Sequence, residues 1–410
     1  MTLGGGGGGG GEMEEIVIVG GGLSGLATAL ALHRKGIASL VLERSESLRA
    51  SGAAITIRTN GWHALDYLGI ASALRQTAVS IEGFASINLD WSMQQTRSPI
   101  SRGETRCIRR SDLIEALARD LPPGSIRFGS YVKFIKSDPF SSCPILHLND
   151  GSTIKAKALV GCDGVNSVVL DYLGMRPTNF SGSSAFRGFT NYPEGHGFEN
   201  LFFLATRGKV LLGRVPVDDT LVYWFITRHW TPEDLKISNN QDLMKSSSLE
   251  SIKDFPEDVT KMIEKCDRSS LSCMRFRYRA PWDLMVESYR KGTTTVAGDA
   301  LHAMSPFIGQ GGSASLEDAI VLTEFLAQKL REVGPDRPHQ ELMGKYEEAL
   351  EGYVKHRRMR LVRLSAQSYL MTKLAETSSV LVKTLCIAVM IIFFRDYTAH
   401  TEYDCRRLRL

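Results

Sequence analysis

The sequence predicts a mixed α/β fold, with a parallel-sheet domain interrupted by an antiparallel sheet and followed by a helical C-terminal segment. Three observations predict it. The run Ile16-Val17-Ile18-Val19 is apolar without polar alternation, as a central strand buried on both faces requires, and glycines follow at once. Residues 175–274 carry short β-branched and aromatic runs separated by Pro and Gly turns. From about residue 342 helical spacing rich in Arg and Lys takes over. The expected units are a Gly-rich tail (1–13), a Rossmann-like domain in two parts (14–174 and 275–335), a sheet domain set between them (175–274, with further strands near 81–100), and C-terminal helices (336–410).

Gly20, Gly22 and Gly25 fit G-x-G-x-x-G. The first lets the chain turn sharply, the second lets backbone approach a pyrophosphate, and the third lets the next helix pack close to the strand. That helix is expected over 23–35, with Leu26, Ala27, Leu30 and Ala31 at helical spacing. Its start, at Leu23 and Ser24, offers unpaired N–H groups and a positive dipole end to phosphate. Residues 39–42 read as the second strand, and Glu43 closes it beside Arg44. An acid at that place, roughly 20 residues on, is positioned for a ribose diol and argues against a ribose 2′-phosphate, so NADP is not the ligand of this turn. An ordinary βαβ unit with a glycine turn is the plain alternative.

The remaining elements follow in order. Residues 52–57 read as a small-residue strand, and Asn60 as the head of a helix carrying Trp62, Leu65 and Leu68 and stopped by Gly69. Residues 81–91 look like sheet. Residues 106–118 read as a strand and then a helix capped by Ser111, with Arg110 just before the cap. Strands are expected at 126–135, 145–148 and 152–155, with a hairpin turn at Asn149-Asp150-Gly151, and again at 158–162, ending in Asp163-Gly164. Cys162 reads as core. Strands at 186–190, 201–204, 209–215 and 221–227 read as antiparallel, with Tyr223 and Trp224 as core, and a small helix follows at 256–266. Residues 293–297 form a strand leading to Gly298-Asp299, then His302, Pro306 and Gly309-Gln310-Gly311-Gly312. A helix over 313–330 comes next, where Glu317 and Asp318 suit the dipole. Gly309 to Ala314 also fits G-x-G-x-x-A, but no credible strand precedes it. Residues 380–394 are strongly apolar apart from Lys383 and too short to span a bilayer, which needs about 20 residues. A packed helix is expected there, with interfacial contact to a membrane as the alternative.

Composition narrows the function. Of 410 residues, 23% are charged and the net charge is only +4, with no basic block outside the extreme C-terminus, so a nucleic-acid partner is not implied. Seven scattered cysteines without Cys-x-x-Cys point to free thiols in a reducing compartment and to no metal site. The glycine tract at 4–11 would bury nothing on ordering and reads as a disordered tail, with neither signal-peptide nor transit-peptide character. A cytoplasmic or organellar stromal location is expected, with peripheral membrane attachment as the alternative.

Gly20-x-Gly22-x-x-Gly25 with Glu43-Arg44, Asp163-Gly164 with Ser167, and Gly298-Asp299 with His302, Pro306 and Gly309-Gln310-Gly311-Gly312 occur in a telling order. Together they resemble the single-component FAD-dependent monooxygenases of the para-hydroxybenzoate hydroxylase fold, with Gly-Asp-Ala-Leu-His-Ala-Met-Ser-Pro-Phe looking nearest to the plant salicylate-hydroxylase-like and zeaxanthin-epoxidase-like branch. The match covers about residues 14–330. The resemblance implies that Gly20, Gly22 and Gly25 hold the FAD pyrophosphate and that Glu43 binds the adenosine ribose. It implies that Arg110 contacts the phosphate–ribityl region, that Asp299 binds the pyrophosphate or ribityl side, and that Gly311 and Gly312 offer N–H groups to the flavin ring. Asp163-Gly164 would shape the place where flavin and NAD(P)H meet, and Pro306 would line the reacting side of the ring. The implied reaction uses NAD(P)H and O2, through a C4a-hydroperoxyflavin, to hydroxylate or epoxidise a small aromatic or polyene substrate. The family often continues Ser-x-Val-Arg after Asp-Gly, whereas this chain has Leu170 in place of the arginine. His302 reads as a proton donor or, with more reason, as structural, and Arg187 as meeting an acidic substrate or the nicotinamide cofactor, or as a paired surface residue. No catalytic acid or base and no oligomeric state is assigned. A reductase or oxidase on the same fold, and a binding protein without turnover, are the competing readings.

Overall fold

The computed structural model describes residues 13–48, 53–100, 102–332, 338–396 and 398–408; the glycine tract at 4–11 and Gly52 lie outside the described residues. An eight-stranded sheet organises the fold. Its main path runs Arg290–Lys291, Thr294–Val296, Thr153–Gly161, Glu14–Val19, Leu40–Leu42 and Ile126–Arg127. Every neighbouring pair on that path is parallel except the first. Ile16, Val17 and Ile18 have no exposed surface. Burying each is worth about 1.5–3 kcal/mol, which is why an uninterrupted apolar run sits at the sheet's centre. Helix Leu23–Arg34 packs against Gly311–Arg331, which packs in turn against His339–Glu376.

The two strands expected at 152–155 and 158–162 are one strand, Thr153–Gly161. Its first half pairs with Pro144–Leu148 across the Gly151 turn, where φ is +87°, and its second half enters the parallel sheet. Lys155 and Lys157 break the apolar run in the sequence without breaking the strand. Ser111 is not a cap. The helix Arg110–Arg119 starts one residue earlier, and the Ser111 hydroxyl donates to Asp112. Asn60 likewise lies inside the helix Thr59–Leu68, which ends on left-handed Gly69.

The second sheet has seven strands, in the order Ser272–Tyr278, Asn179–Asn191, Leu221–His229, Val210–Pro216, Leu201–Arg207, Gly83–Asn88, Ser92–Pro99. The expected all-antiparallel order is corrected at one pairing, where Leu201–Arg207 runs parallel to Gly83–Asn88. The latter strand comes from much earlier in the chain, so no hairpin dictates its direction. One face of this sheet is covered by helices Gln241–Ser251 and Glu257–Glu264, whose Met244, Val259 and Met262 pack with Phe186, Trp224 and Ile226.

Helix Val380–Phe393 corrects the expectation of a packed helix. It is apolar on every side, so docking one side on His339–Glu376 leaves the rest outside. Val380 and Leu381 are 78% exposed, and within the helix only Cys386 is buried. No helix among the described residues is long and apolar enough to cross a membrane.

Candidate active site

Strand register brings the three glycine turns together. Val19 stands opposite both Leu42 and Gly161, and Gly161 stands opposite Val296. The chain therefore leaves four adjacent parallel strands at one edge, as Gly20, Glu43, Cys162-Asp163 and Gly298-Asp299. Ligands bind outside the carboxyl ends of such strands. There a cleft of about 970 Å³ runs continuously from Glu43, Arg44 and Arg110, past Gly20 and Asp299, to the face of the second sheet.

Each glycine of the first turn has its own geometry. Gly20 has φ +105°, and a Cβ there would sit 2.5 Å from the Cys162 carbonyl oxygen. Gly25 does not line the cleft. Its Cβ would lie 1.9 Å from the Gly20 carbonyl oxygen, so its part is close packing of helix on turn, a correction to a direct role in holding the ligand. Gly22 does line the cleft and has nothing within 4 Å of its Cβ position, which is the space a close-approaching phosphate needs. Leu23 and Ser24 open the helix beside it. Glu43 accepts the Gly21 N–H at 2.7 Å and the Ser45 N–H at 2.9 Å. These contacts fix its carboxylate on the cleft wall.

Asp163 accepts the Val168 N–H through Oδ2, while its buried Oδ1 has no partner. Burial pushes this carboxyl up to about 6, against the backbone N–H groups beside it that pull it down. Gly298, at φ +63°, passes so close to Ser24 that a Cβ would lie 2.7 Å from that side chain. Asp299 follows on the cleft wall. Gly311 and Gly312 begin the helix Gly311–Arg331, two residues before the start expected from sequence, and present its N-terminus to the cleft. Pro306 and Phe307, in the short turn Pro306–Ile308, form the adjoining wall.

The second sheet closes the cleft by strand alternation. Tyr223, Phe225 and Thr227 face the cleft, while Trp224 and Ile226 face the covering helices. Tyr223 is thus a wall of the chamber, where the sequence suggested core. Phe202, Leu204 and Val215 continue the apolar lining, and Arg187 stands among them, its Nε donating to Ser272 at 2.8 Å.

His302 is fully buried away from the cleft, its Nε2 2.7 Å from Asp318 Oδ2. It belongs to a network that sequence reasoning missed. Arg357 bonds Asp318 at 2.7 Å and Glu317 at 2.8 Å, with all three side chains unexposed. Arg360 and Asn60 also bind Glu317, and the Asn60 amide donates to Gln310 Oε1 at 2.8 Å. Asp318 accepts the Gly298 N–H at 2.9 Å. Burial alone would raise the Asp318 carboxyl, but the adjoining His302 and Arg357 outweigh it and hold it below the usual range. Glu317 and Asp318 therefore serve as buried anchors of two cleft turns rather than as partners of a helix dipole. No local signal marks this, since Arg357 lies about forty positions away on another helix.

The residues fit FAD. Two helix N-termini face the cleft, Gly22 leaves room for a phosphate, and an acid stands at the ribose end. The comparisons agree. A family described as FAD binding domain matches residues 13–351. Monooxygenase 1 of Arabidopsis thaliana is 45% identical over 94% of this chain and 97% of its own length. Monooxygenase 2 of the same plant is 39% identical over 85% and 86%. The crystal structure of Klebsiella pneumoniae HpxO complexed with FAD and uric acid superposes with a TM-score of 0.76 at 19% identity, covering 96% of this chain and 94% of that one. By sequence and by cleft, the chain belongs to the FAD-binding monooxygenases of the para-hydroxybenzoate hydroxylase fold.

Proposed function

We propose that this FAD-dependent monooxygenase takes its electrons from NAD(P)H and hydroxylates or epoxidises a small aromatic or polyene substrate. The observation that carries the reading is the continuity of the cleft, in which the groove beside Gly20, Gly22 and Glu43 leads without a break into a chamber walled by Phe202, Tyr223 and Phe225. Bound FAD supplies the redox and oxygen chemistry, and the chain supplies placement. Gly20, Gly22, Leu23 and Ser24 hold the pyrophosphate, Glu43 the ribose, and Arg44, Arg110 and Asp299 the remaining polar edge. The helix start at Gly311 and Gly312 stabilises negative charge on the flavin ring. Asp163-Gly164 borders the side where the nicotinamide arrives. Pro306 and the aromatic sheet exclude water, which would otherwise divert reducing equivalents to hydrogen peroxide.

In this reading the parallel sheet (14–174 and 275–335) is the FAD domain, 175–274 with the strands near 81–100 is the substrate domain, and 336–410 buttresses both. Unpaired thiols at all seven cysteines suit a cytoplasmic or stromal compartment, and the bare apolar face of Val380–Phe393 suits weak contact with a membrane surface.

The test is a screen of phenols and polyenes for those that accelerate anaerobic flavin reduction by NADH or NADPH, followed by aerobic turnover with mass analysis. A product heavier by one oxygen atom is expected. NAD(P)H oxidation that yields only hydrogen peroxide or a reduced substrate across the whole screen would overturn the reading.

A further inference from the structure

We propose that a second, apolar cavity on the outer side of Phe307 binds the hydrocarbon tail of a substrate drawn from a membrane. The proposal deepens the reading above and rests on it for the fate of the substrate's head, which is passed to the flavin chamber. The cavity lies between helix His339–Glu376, helix Val380–Phe393 and the turn Pro306–Ile308, and its volume is about 710 Å³. Small-molecule sites span roughly 300–1,000 Å³. Nine of the fourteen residues that line it are apolar, so it suits a chain that needs no hydrogen-bond partners.

The helix that walls the cavity points to the source of the ligand. Ile387, Met390, Ile391 and Phe394 recur at helical spacing, so one stripe of this helix lines the cavity together with Met371 and Leu374 of His339–Glu376. Leu381, Leu385 and Ile392 form a second stripe, about 150° around the helix, and are 78%, 63% and 64% exposed. Ile387 and Ile391 belong to the lining and are still 49% and 62% exposed, so the cavity opens to the surface beside that bare stripe. Lys383 and Arg395 are exposed near the two ends of the helix, where cations favour an anionic lipid surface. A helix with one bare apolar stripe and a cavity behind the other is built to lie in the interfacial layer of a membrane and take up a chain from it.

Single aromatic side chains separate this cavity from the flavin chamber. Phe307 lines both spaces, and its ring meets that of Phe276, on the cleft wall, at 6.0 Å. Phe84, on the cavity wall, meets Phe202, on the chamber wall, at 5.9 Å. Phe307 is half-buried, in a single turn that ends on left-handed Gly309, so rotation of its side chain suffices to join the two spaces. A tail seated in the cavity leaves its head one ring away from the site of the chemistry.

Two measurements on the FAD-loaded enzyme test the site. In calorimetric titration with a series of para-n-alkylphenols, affinity is expected to rise about fourfold per added methylene, the yield of burying one CH2 group, until the cavity is filled. Met371→Trp and Leu374→Trp, which fill the cavity from the side of His339–Glu376, should flatten that rise while keeping the affinity for unsubstituted phenol, the FAD content and the unfolding midpoint. A fatty acid carrying a diazirine, presented in vesicles of phosphatidylcholine and phosphatidylglycerol and photolysed, should label peptides that contain residues 367–374 and 387–394. Leu381→Ser with Ile392→Ser, on the outer stripe, should lower labelling from vesicles and leave the alkylphenol affinities unchanged. No rise with chain length in the wild type would overturn the cavity as a tail site. So would an equal rise in both tryptophan variants, which would put the tail in the flavin chamber. Undiminished vesicle labelling of the double serine variant would overturn the membrane as the source. Tails bound in the cavity while no alkylphenol or polyene accelerates flavin reduction or gains oxygen would overturn the reading of the reaction and not the tail site.

Discussion

Gly22 and Gly25 are three residues apart in one motif, yet the structure separates what each does, and two alanine substitutions test the separation. At Gly22 the backbone is ordinary extended chain (φ −84°, ψ −171°), and a Cβ meets nothing within 4 Å. Alanine there restricts the unfolded chain, a gain of about 0.4–1 kcal/mol, and is a poorer helix cap than glycine, a loss of roughly 0.5–1 kcal/mol. The apoprotein should therefore keep its stability to within about 1 kcal/mol. The same methyl group stands where phosphate must approach backbone, so FAD affinity should fall at least about tenfold, or about 1.4 kcal/mol. At Gly25 the Cβ would lie 1.9 Å from the Gly20 carbonyl oxygen, more than an ångström inside any tolerable contact, and that oxygen is backbone and cannot swing away. Overpacking of this kind costs on the order of 3 kcal/mol, and the loss should appear in the apoprotein. Urea unfolding of both apoproteins and titration by quenching of FAD fluorescence separate the two effects. If Gly22→Ala binds FAD within threefold of the parent while Gly25→Ala unfolds at the parent's urea midpoint, the division into a ligand-facing and a packing glycine is wrong.

Three further outcomes are expected. The Asp163 carboxyl sits at about 6 in the fold against an ordinary 3.8, so the proton is bound more tightly in the folded state. Its contribution to stability is full below the lower value and is lost as pH rises through about 6. Asp163→Asn should flatten the fall in apoprotein urea midpoint between about pH 4 and 6, and an unchanged slope would refute the assignment. Arg357→Met strands Glu317 and Asp318 in the core and should cost about 3–5 kcal/mol in urea unfolding; a loss under about 1 kcal/mol would show that the carboxylates find other partners. Leu381→Ser with Ile392→Ser, on the bare face of Val380–Phe393, should lower co-sedimentation with lipid vesicles without moving the unfolding midpoint, and undiminished vesicle binding would rule this helix out as the contact.

What the sequence disclosed and what it hid divide along a physical line. The Gly20 turn, Glu43, Asp163 and Gly298 were legible because each follows a short apolar strand, and the convergence of those strands is set by backbone register, which local pattern encodes. The side each residue of the second sheet faces was harder to read. Period-two alternation puts Tyr223 and Trp224 on opposite faces, but pattern alone cannot say which face meets a cleft and which meets helices, since both demand apolar residues. The Asn60–Glu317–Asp318–Arg357 network was invisible because no periodicity links residues brought together from three separate elements. The same gap in local reading made Val380–Phe393 look like core: twelve apolar residues in fourteen satisfy the composition of a buried helix, but burial needs a partner for every face, and His339–Glu376 covers one. Hydrophobicity thus predicts that a face will seek cover, while only topology decides whether the chain itself provides it. The exposed helix is where this chain leaves that demand unmet.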